Sequence, residues 1–363
     1  MKTTLLTACL FVIGLQTVGN SADAWNRKSA AAYLDQRFNW WMTWKTAARD
    51  HDTFCVSCHT ALPYALGRPA LRAALGERAP SANERGLLEN VAKRVRLWQE
   101  VLPFYSDEKN GPHKTAEARG TEAVLNALIL TSYDAGNARL SADARLALEN
   151  MWKLQLKSGE EKGAWDWLNF HNEPWEADDS QFWGAALAAL ASGNAPKEYP
   201  LETDVRENLR LLSEYLQRRQ QSQSLLNRLF LLWASTRVPG ILTPGQQKSI
   251  VDEVLPKQQG DGGWSTPSLV LQTWKRRDGT ALETKSDGFA TGLVSFVLQR
   301  AGVARSRPEL KRSLAWLAKN QDKAEGRWPA ASLNKERDLA SDAGRFMSDA
   351  ATAYAVLALT SIN

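Results

Sequence analysis

The chain has 363 residues, of which 44% are hydrophobic and 23% charged, with a mean hydropathy of −0.40. This excludes a mostly disordered chain, which would lack the apolar side chains that offset ordering entropy. It also excludes a multispanning membrane protein, since no stretch after the N-terminus approaches the roughly 20 apolar residues that a spanning helix needs. The net charge of +5 is too small to argue for nucleic acid, and three cysteines are too few for a disulfide scaffold.

Residues 1–24 read as a secretory signal peptide. Lys2 precedes an apolar core from Leu5 to Leu15, and Ala22-Asp23-Ala24 forms a small-residue end, the three parts of an export signal. Cleavage is expected after Ala24, which makes the mature chain periplasmic or secreted. A lipoprotein signal at Leu6-Thr7-Ala8-Cys9 would leave too short an apolar core, and an uncleaved anchor would be too short to span. No transmembrane anchor is therefore expected. The basic excess of the mature chain lies between Trp25 and Arg119, with 15 Lys/Arg against 10 Asp/Glu. From Gly120 onward the charges balance at 29 each.

The first helix is expected over Lys28–Ala48, with Tyr33, Leu34, Phe38, Trp41 and Met42 on one face. The two cysteines of the mature chain follow in His51-Asp52-Thr53-Phe54-Cys55-Val56-Ser57-Cys58-His59-Thr60. Cys-x-x-Cys-His is the attachment signature of c-type haem. On one helical face, Cys55 and Cys58 can form thioethers to the two vinyl groups of one porphyrin edge, and His59 is placed as the proximal iron ligand. A redox dithiol, half of a zinc site and an incidental disulfide are the competing readings. Export supports haem, because c-type haem is attached outside the cytoplasm in bacteria. The stretch resembles c-type cytochromes across this motif alone. A sixth iron ligand is not readable from the sequence, although His113, in the loop Lys109-Asn110-Gly111-Pro112-His113-Lys114, is one candidate. After the motif, Pro63 and Pro69 each suit the first turn of a short helix, and Gly76 is a plausible stop.

The remaining chain repeats. Gln155 precedes Gly163-Ala164-Trp165, Gln258 precedes Gly262-Gly263-Trp264, and Gln321 precedes Gly326-Arg327-Trp328. Each Gln ends an expected amphipathic helix: 142–156, 245–257 and 309–320. Each Trp opens a loop that leads to a smaller-residue helix starting near Asp179, Asp287 or Asp349. Two hairpins lack the Trp, one pairing 84–102 with 118–133 and the other pairing 204–218 with 222–235. Repeated helix pairs imply an all-α array, with Gly/Ala/Thr-rich helices inside and amphipathic ones outside.

Gln258-x-x-Asp261-Gly262-x-Trp264 resembles the QW repeat of squalene–hopene cyclases. The hairpin order resembles the α/α toroid that those enzymes share with protein prenyltransferase β subunits. The likeness covers about residues 84–363 and implies a toroid over that range, with residues 25–83 as an N-terminal helical haem segment. It also implies that the Gln caps the outer helix and the Trp stacks against it, which explains 15 Trp beside 10 Phe and 7 Tyr. Class II cyclases protonate an alkene with an Asp-x-Asp-Asp motif. The corresponding stretch is Glu176-Ala177-Asp178-Asp179, where Asp178 would be an acid raised by burial and Glu176 departs from the pattern. The competing reading makes Asp179, Asp287 and Asp349 equivalent helix N-caps. Prenyltransferase zinc chemistry needs a Cys inside the toroid, and there is none.

These features combine into an exported monohaem protein that works in electron transfer or haem-dependent redox chemistry. The alternatives are a cyclase-like enzyme with an accessory haem and a non-catalytic ligand-binding toroid. A redox protein would dock at the basic N-terminal segment, and an apolar small molecule would occupy the toroid.

Overall fold

The structure is a computed structural model and describes residues 25–361; the expected signal peptide lies outside the described residues. The described chain is all-α apart from one short hairpin, and no helix in it is long and apolar enough to cross a membrane. Helix α1 (Arg27–Thr43) leads into strands β1 (Ala48–Arg49) and β2 (Thr53–Phe54), then α2 (Ala61–Leu75). Next come α3 (Ala82–Arg96), the single turn α4 (Asp107–Asn110) and α5 (Lys114–Asp134). Four further pairs follow: α6 (Ala142–Lys153) with α7 (Ser180–Asn194), α8 (Thr203–Arg219) with α9 (Leu225–Ser235), α10 (Pro244–Val254) with α11 (Gly288–Arg300), and α12 (Pro308–Lys319) with α13 (Phe346–Thr360).

The two helices of each pair differ in composition and therefore in position. The second helices are apolar nearly all round. In α7 every residue from Phe182 to Ser192 is buried, as expected of a helix without a solvent face. The first helices bury one stripe, such as Leu310, Ser313 and Leu317 of α12. Packing among the second helices closes on itself: α2 lies against α5, α5 against α7, α7 against α9, α9 against α11, α11 against α13, and α13 against α2. Small residues set the closeness of this cycle. A Cβ at Gly292 of α11 would fall 2.6 Å from the backbone N of Ala355 in α13.

The Gln–Trp pairs stitch the first helices together, each with the same bonds. Trp165, Trp264 and Trp328 donate their indole N–H to the carbonyls of Met151, Val254 and Leu317, at 2.6, 2.9 and 2.8 Å. Each accepting residue lies four before the Gln, in the last turn of its helix, where carbonyls lack the i+4 partner of a continuing helix. The Gln amide donates to the Gly of its own Gly-x-Trp and to the next first helix. Gln155 reaches the Asn208 carbonyl in α8 at 2.9 Å, and Gln258 reaches that of Glu309 in α12 at 2.8 Å. Gln321 reaches the carbonyl of Asn26, the N-cap of α1, at 3.0 Å, and its Oε1 accepts the Asn26 N–H at 2.6 Å. The last repeat thus fastens onto the first helix. Gly326 is needed there twice over: its φ is +78°, and a Cβ would lie 2.4 Å from Ser29 backbone atoms.

Several expectations need correction. The packing does not break at residue 83: α2 touches both α5 and α13, and residues 30–71 belong to the same core as the repeats. Helix α2 is therefore one of the helices of the cycle. Helix α1 stops at Thr43, before the hairpin. Pro69 lies inside a single helix α2, whose first turn holds Pro63 and whose C-cap is Gly76 at φ +71°.

Candidate functional site

The two cysteines stand where α1 and α2 are joined. The chain entering the motif is pinned by α3: Asn90 accepts the Phe54 N–H at 2.8 Å and donates to the Phe54 carbonyl at 3.0 Å. Arg94, held by Glu122 in a fully buried pair at 2.5 Å, donates to Thr53 Oγ1 at 2.6 Å. Trp41 of α1 donates its indole N–H to the Cys55 carbonyl at 2.6 Å. Cys55 to Thr60 do not form the helical face expected from their spacing; they make a turn ahead of α2. Ser57 organises that turn by accepting the backbone N–H groups of Thr60 and Ala61 on its Oγ, at 3.2 and 3.0 Å.

Both thiols are free and buried, Cys55 7% and Cys58 5% exposed. Burial pushes the Cys55 thiol up to about 12 and Cys58 well above its ordinary value. That is the reverse of a redox dithiol, whose nucleophile needs a lowered pKa. Burial and then the nearby Arg37 push the His59 imidazole down to about 3, so it is neutral and keeps a lone pair. Its Nδ1 lies 2.9 Å from Thr60 Oγ1, and Thr60 donates its own hydroxyl proton to Asp349 Oδ2 at 2.8 Å. Thr60 has one proton to give, so the His59 contact requires Nδ1 to be the donor. Nε2 then carries the lone pair and has no hydrogen bond to the described residues.

Cys55 and His59 line a cavity of about 260 Å³ together with Trp41, Trp44, Tyr105, Trp175 and Phe346. Phe346 stacks on the imidazole with ring centroids 3.7 Å apart, and Trp41 meets it edge-on at 4.9 Å. Met347 lines the same cavity. So do Arg49 and Arg337, neither of which has a carboxylate partner within salt-bridge distance among the described residues. The Arg49 Nε is buried without a hydrogen bond. Also among the described residues, no group of three or more His, Cys, Asp or Glu is arranged to hold a metal ion. The cavity presents one thiol, that of Cys55, and one imidazole beside an aromatic wall and two cations without carboxylate partners, while Cys58 is buried three residues on and does not line it. It fits a covalently attached haem with two carboxylate side chains better than a tetrahedral zinc, which needs four protein ligands in a closed site.

The acidic stretch divides. Glu176 lines this cavity, and burial raises its carboxyl to about 7. Asp178 is exposed, accepting from Asn169 at 2.8 Å and lying 2.7 Å from His171 Nδ1. The Asn169 bond, followed by His171, lowers its pKa, so the expectation of a buried proton-donating Asp178 is reversed. Asp179 stands at the N-cap position of α7 without a capping bond; its Oδ2 accepts from Asn227 at 2.9 Å. Among the three aspartates expected to cap helices, Asp287 does so, accepting the N–H groups of Phe289 and Ala290 at 2.9 Å. Asp349 lies inside the first turn of α13, whose N-cap is Arg345. His113 is exposed at the start of α5 and does not line the cavity.

Glu173, 6% exposed, also lines the cavity, and its carboxyl is raised from 4.5 to about 8, first by burial and then by Asp179 and Asp178. A raised carboxyl contributes stability below its unfolded pKa and loses it as pH climbs through the folded one. Unfolding by urea should therefore show wild-type stability falling between about pH 4.5 and 8, by up to about 1.4 kcal/mol per unit. Glu173→Gln should remove that component, so that the variant gains on the wild type at pH 8 relative to pH 5. An identical pH slope in both proteins counts against the burial of an ionisable Glu173.

No protein-family model matches the chain, and no curated protein matches it.

Proposed function

We propose that the protein holds one haem c through thioethers at Cys55 and Cys58, with His59 Nε2 as iron ligand, and that it transfers electrons outside the cytoplasm. The observation that carries this reading is the neutral His59. Its Nδ1 proton is committed to Thr60, and its Nε2 is left without a hydrogen bond on a cavity it shares with the free Cys55 thiol. When bound, haem supplies one-electron exchange at its iron. The chain's own residues do the rest. Trp41, Trp175 and Phe346 would exclude water from a bound ring, and Arg49 and Arg337 would offer charge to its carboxylate side chains. Met347, a thioether on the same cavity, would be a better placed candidate than His113 to help hold the iron, since His113 does not line the cavity. The closed cycle of helix pairs supports an α/α toroid of the cyclase-like kind, with the haem at the junction of its first pair. The basic excess around the motif would face an acidic redox partner.

A second reading, haem-based redox chemistry on a small molecule, draws on Glu173 and Glu176, whose carboxyls hold protons near neutral pH beside the cavity. Cyclase activity gains nothing from Asp178, which is exposed and whose pKa is lowered by Asn169 and His171. Absorption spectra of the exported protein separate the two redox readings. Electron transfer predicts a thioether-to-iron charge-transfer band in the oxidised form and no response to cyanide, with the band lost in Met347→Ala. A wild type without that band, binding cyanide freely, would favour chemistry on a ligand.

A further inference from the structure

The carboxylate behind His59 arrives from the far end of the chain, 289 residues after Thr60. Asp349 is 1% exposed and makes four hydrogen bonds, all as acceptor. Arg37 donates from Nε to Oδ1 at 2.9 Å and from Nη2 to Oδ2 at 3.1 Å. Tyr33 donates to Oδ1 and Thr60 to Oδ2, both at 2.8 Å. A carboxyl that accepts on both oxygens from four donors is in its ionised form. Burial raises its pKa above the ordinary carboxylate value, and Arg37, the largest opposing influence, offsets part of that rise. Three elements thus converge on one charge: α1 through Tyr33 and Arg37, the haem-motif turn through Thr60, and α13 through Asp349 itself.

Resting on the haem reading above, we propose that Asp349, acting through Thr60, is a positioning residue that holds the His59 proton on Nδ1 and lowers the reduction potential of the iron bound at Nε2. The direction follows from charge. Thr60 Oγ1, polarised by the carboxylate to which it donates, is a stronger acceptor for the Nδ1 proton. The imidazole becomes a better electron donor, and a better donor stabilises the oxidised metal more than the reduced one. Partners of this kind fix the ring's tautomer and raise ligand basicity. Thr60 is the narrow point of the relay, because it has one hydroxyl proton and gives it to Asp349.

The test is the midpoint potential of the purified holoprotein, followed optically, in wild type, Asp349→Asn, Thr60→Val and Thr60→Ser. Asp349→Asn and Thr60→Val should each raise the potential, read as a larger reduced-to-oxidised ratio at fixed poise, each tenfold in that ratio being about 59 mV for a one-electron couple. Thr60→Ser, which keeps the hydroxyl, should return the wild-type value. If Asp349→Asn fails to fold because it strands Arg37, the Val/Ser pair at position 60 still decides, since it leaves the ion pair intact. Haem retained on a denaturing gel with potentials that stay unmoved, or that fall, overturns the relay alone. A wild type that retains no haem on that gel overturns the haem reading, and the relay with it.

Discussion

Protein carrying Cys55→Ala and Cys58→Ala together should run free of haem on a denaturing gel, while the wild type, exported by a host that matures c-type cytochromes, keeps its haem. The expected effect is all or none, because thioethers survive denaturation and coordination bonds do not. Each thiol is buried, and the Cys55 backbone is pinned by the chain around it. The Cys55 N–H bonds to the Ala47 carbonyl at 2.8 Å, and the Cys55 carbonyl accepts from Trp41. The double variant removes two sulfur atoms and leaves these backbone bonds in place, so folding should persist and loss of haem can be assigned to attachment. A haem-free wild type in the same host would defeat the reading outright.

The next largest effect is structural. Trp264→Ala should lower stability by roughly 3–5 kcal/mol in equilibrium unfolding, the range for deleting a large buried aromatic. Trp264 is 0% exposed, and its loss opens a void and strands the Val254 carbonyl, which accepts the indole N–H. Trp264→Phe separates these contributions. It keeps most of the volume and loses the hydrogen bond, so a cost of about 1–3 kcal/mol is expected from the unpaired carbonyl. A Trp264→Ala loss close to zero would mean that the indole does not brace the end of α10.

The repeat was legible because its bonds are local in pattern. A Gln, a Gly at positive φ and a Trp recur at similar spacing, and an indole that satisfies a helix end has the same consequence in each copy. The alternation of amphipathic and small-residue helices was legible for the same reason, through its periodicity. The aspartates were not. Asp179 and Asp287 stand at N-caps and Asp349 inside its first turn, and one binds Asn227, one caps its own helix and one holds Arg37. What decides is the residue that faces each of them, and for Asp349 that residue is 312 positions away. Thr60 was hidden likewise: it follows the motif immediately, but its role depends on a carboxylate from the last helix. Helix α2 ran through Pro69 because tertiary packing against α13 outweighs one missing N–H. The motif left the expected helix because Ser57 captures two backbone donors and turns the chain first.

The fastening of Gln321 to Asn26 has a consequence for how the molecule is made. The last repeat holds α1 at its start through Asn26 and again through Tyr33 and Arg37, which bind Asp349, and the candidate haem site beyond them draws its wall partly from residues 41–59 and partly from 343–347. Contacts of such separation close a loop of nearly the whole chain, which carries an entropic cost and places them late among folding events. The thiols therefore belong to the first helix pair, while the carboxylate behind His59 is supplied by the last. A nascent chain can present Cys55 and Cys58 before α13 has docked, in a state where the pocket still lacks the Phe346 and Met347 wall. Docking of the final helix then both completes the core and encloses whatever those thiols have acquired.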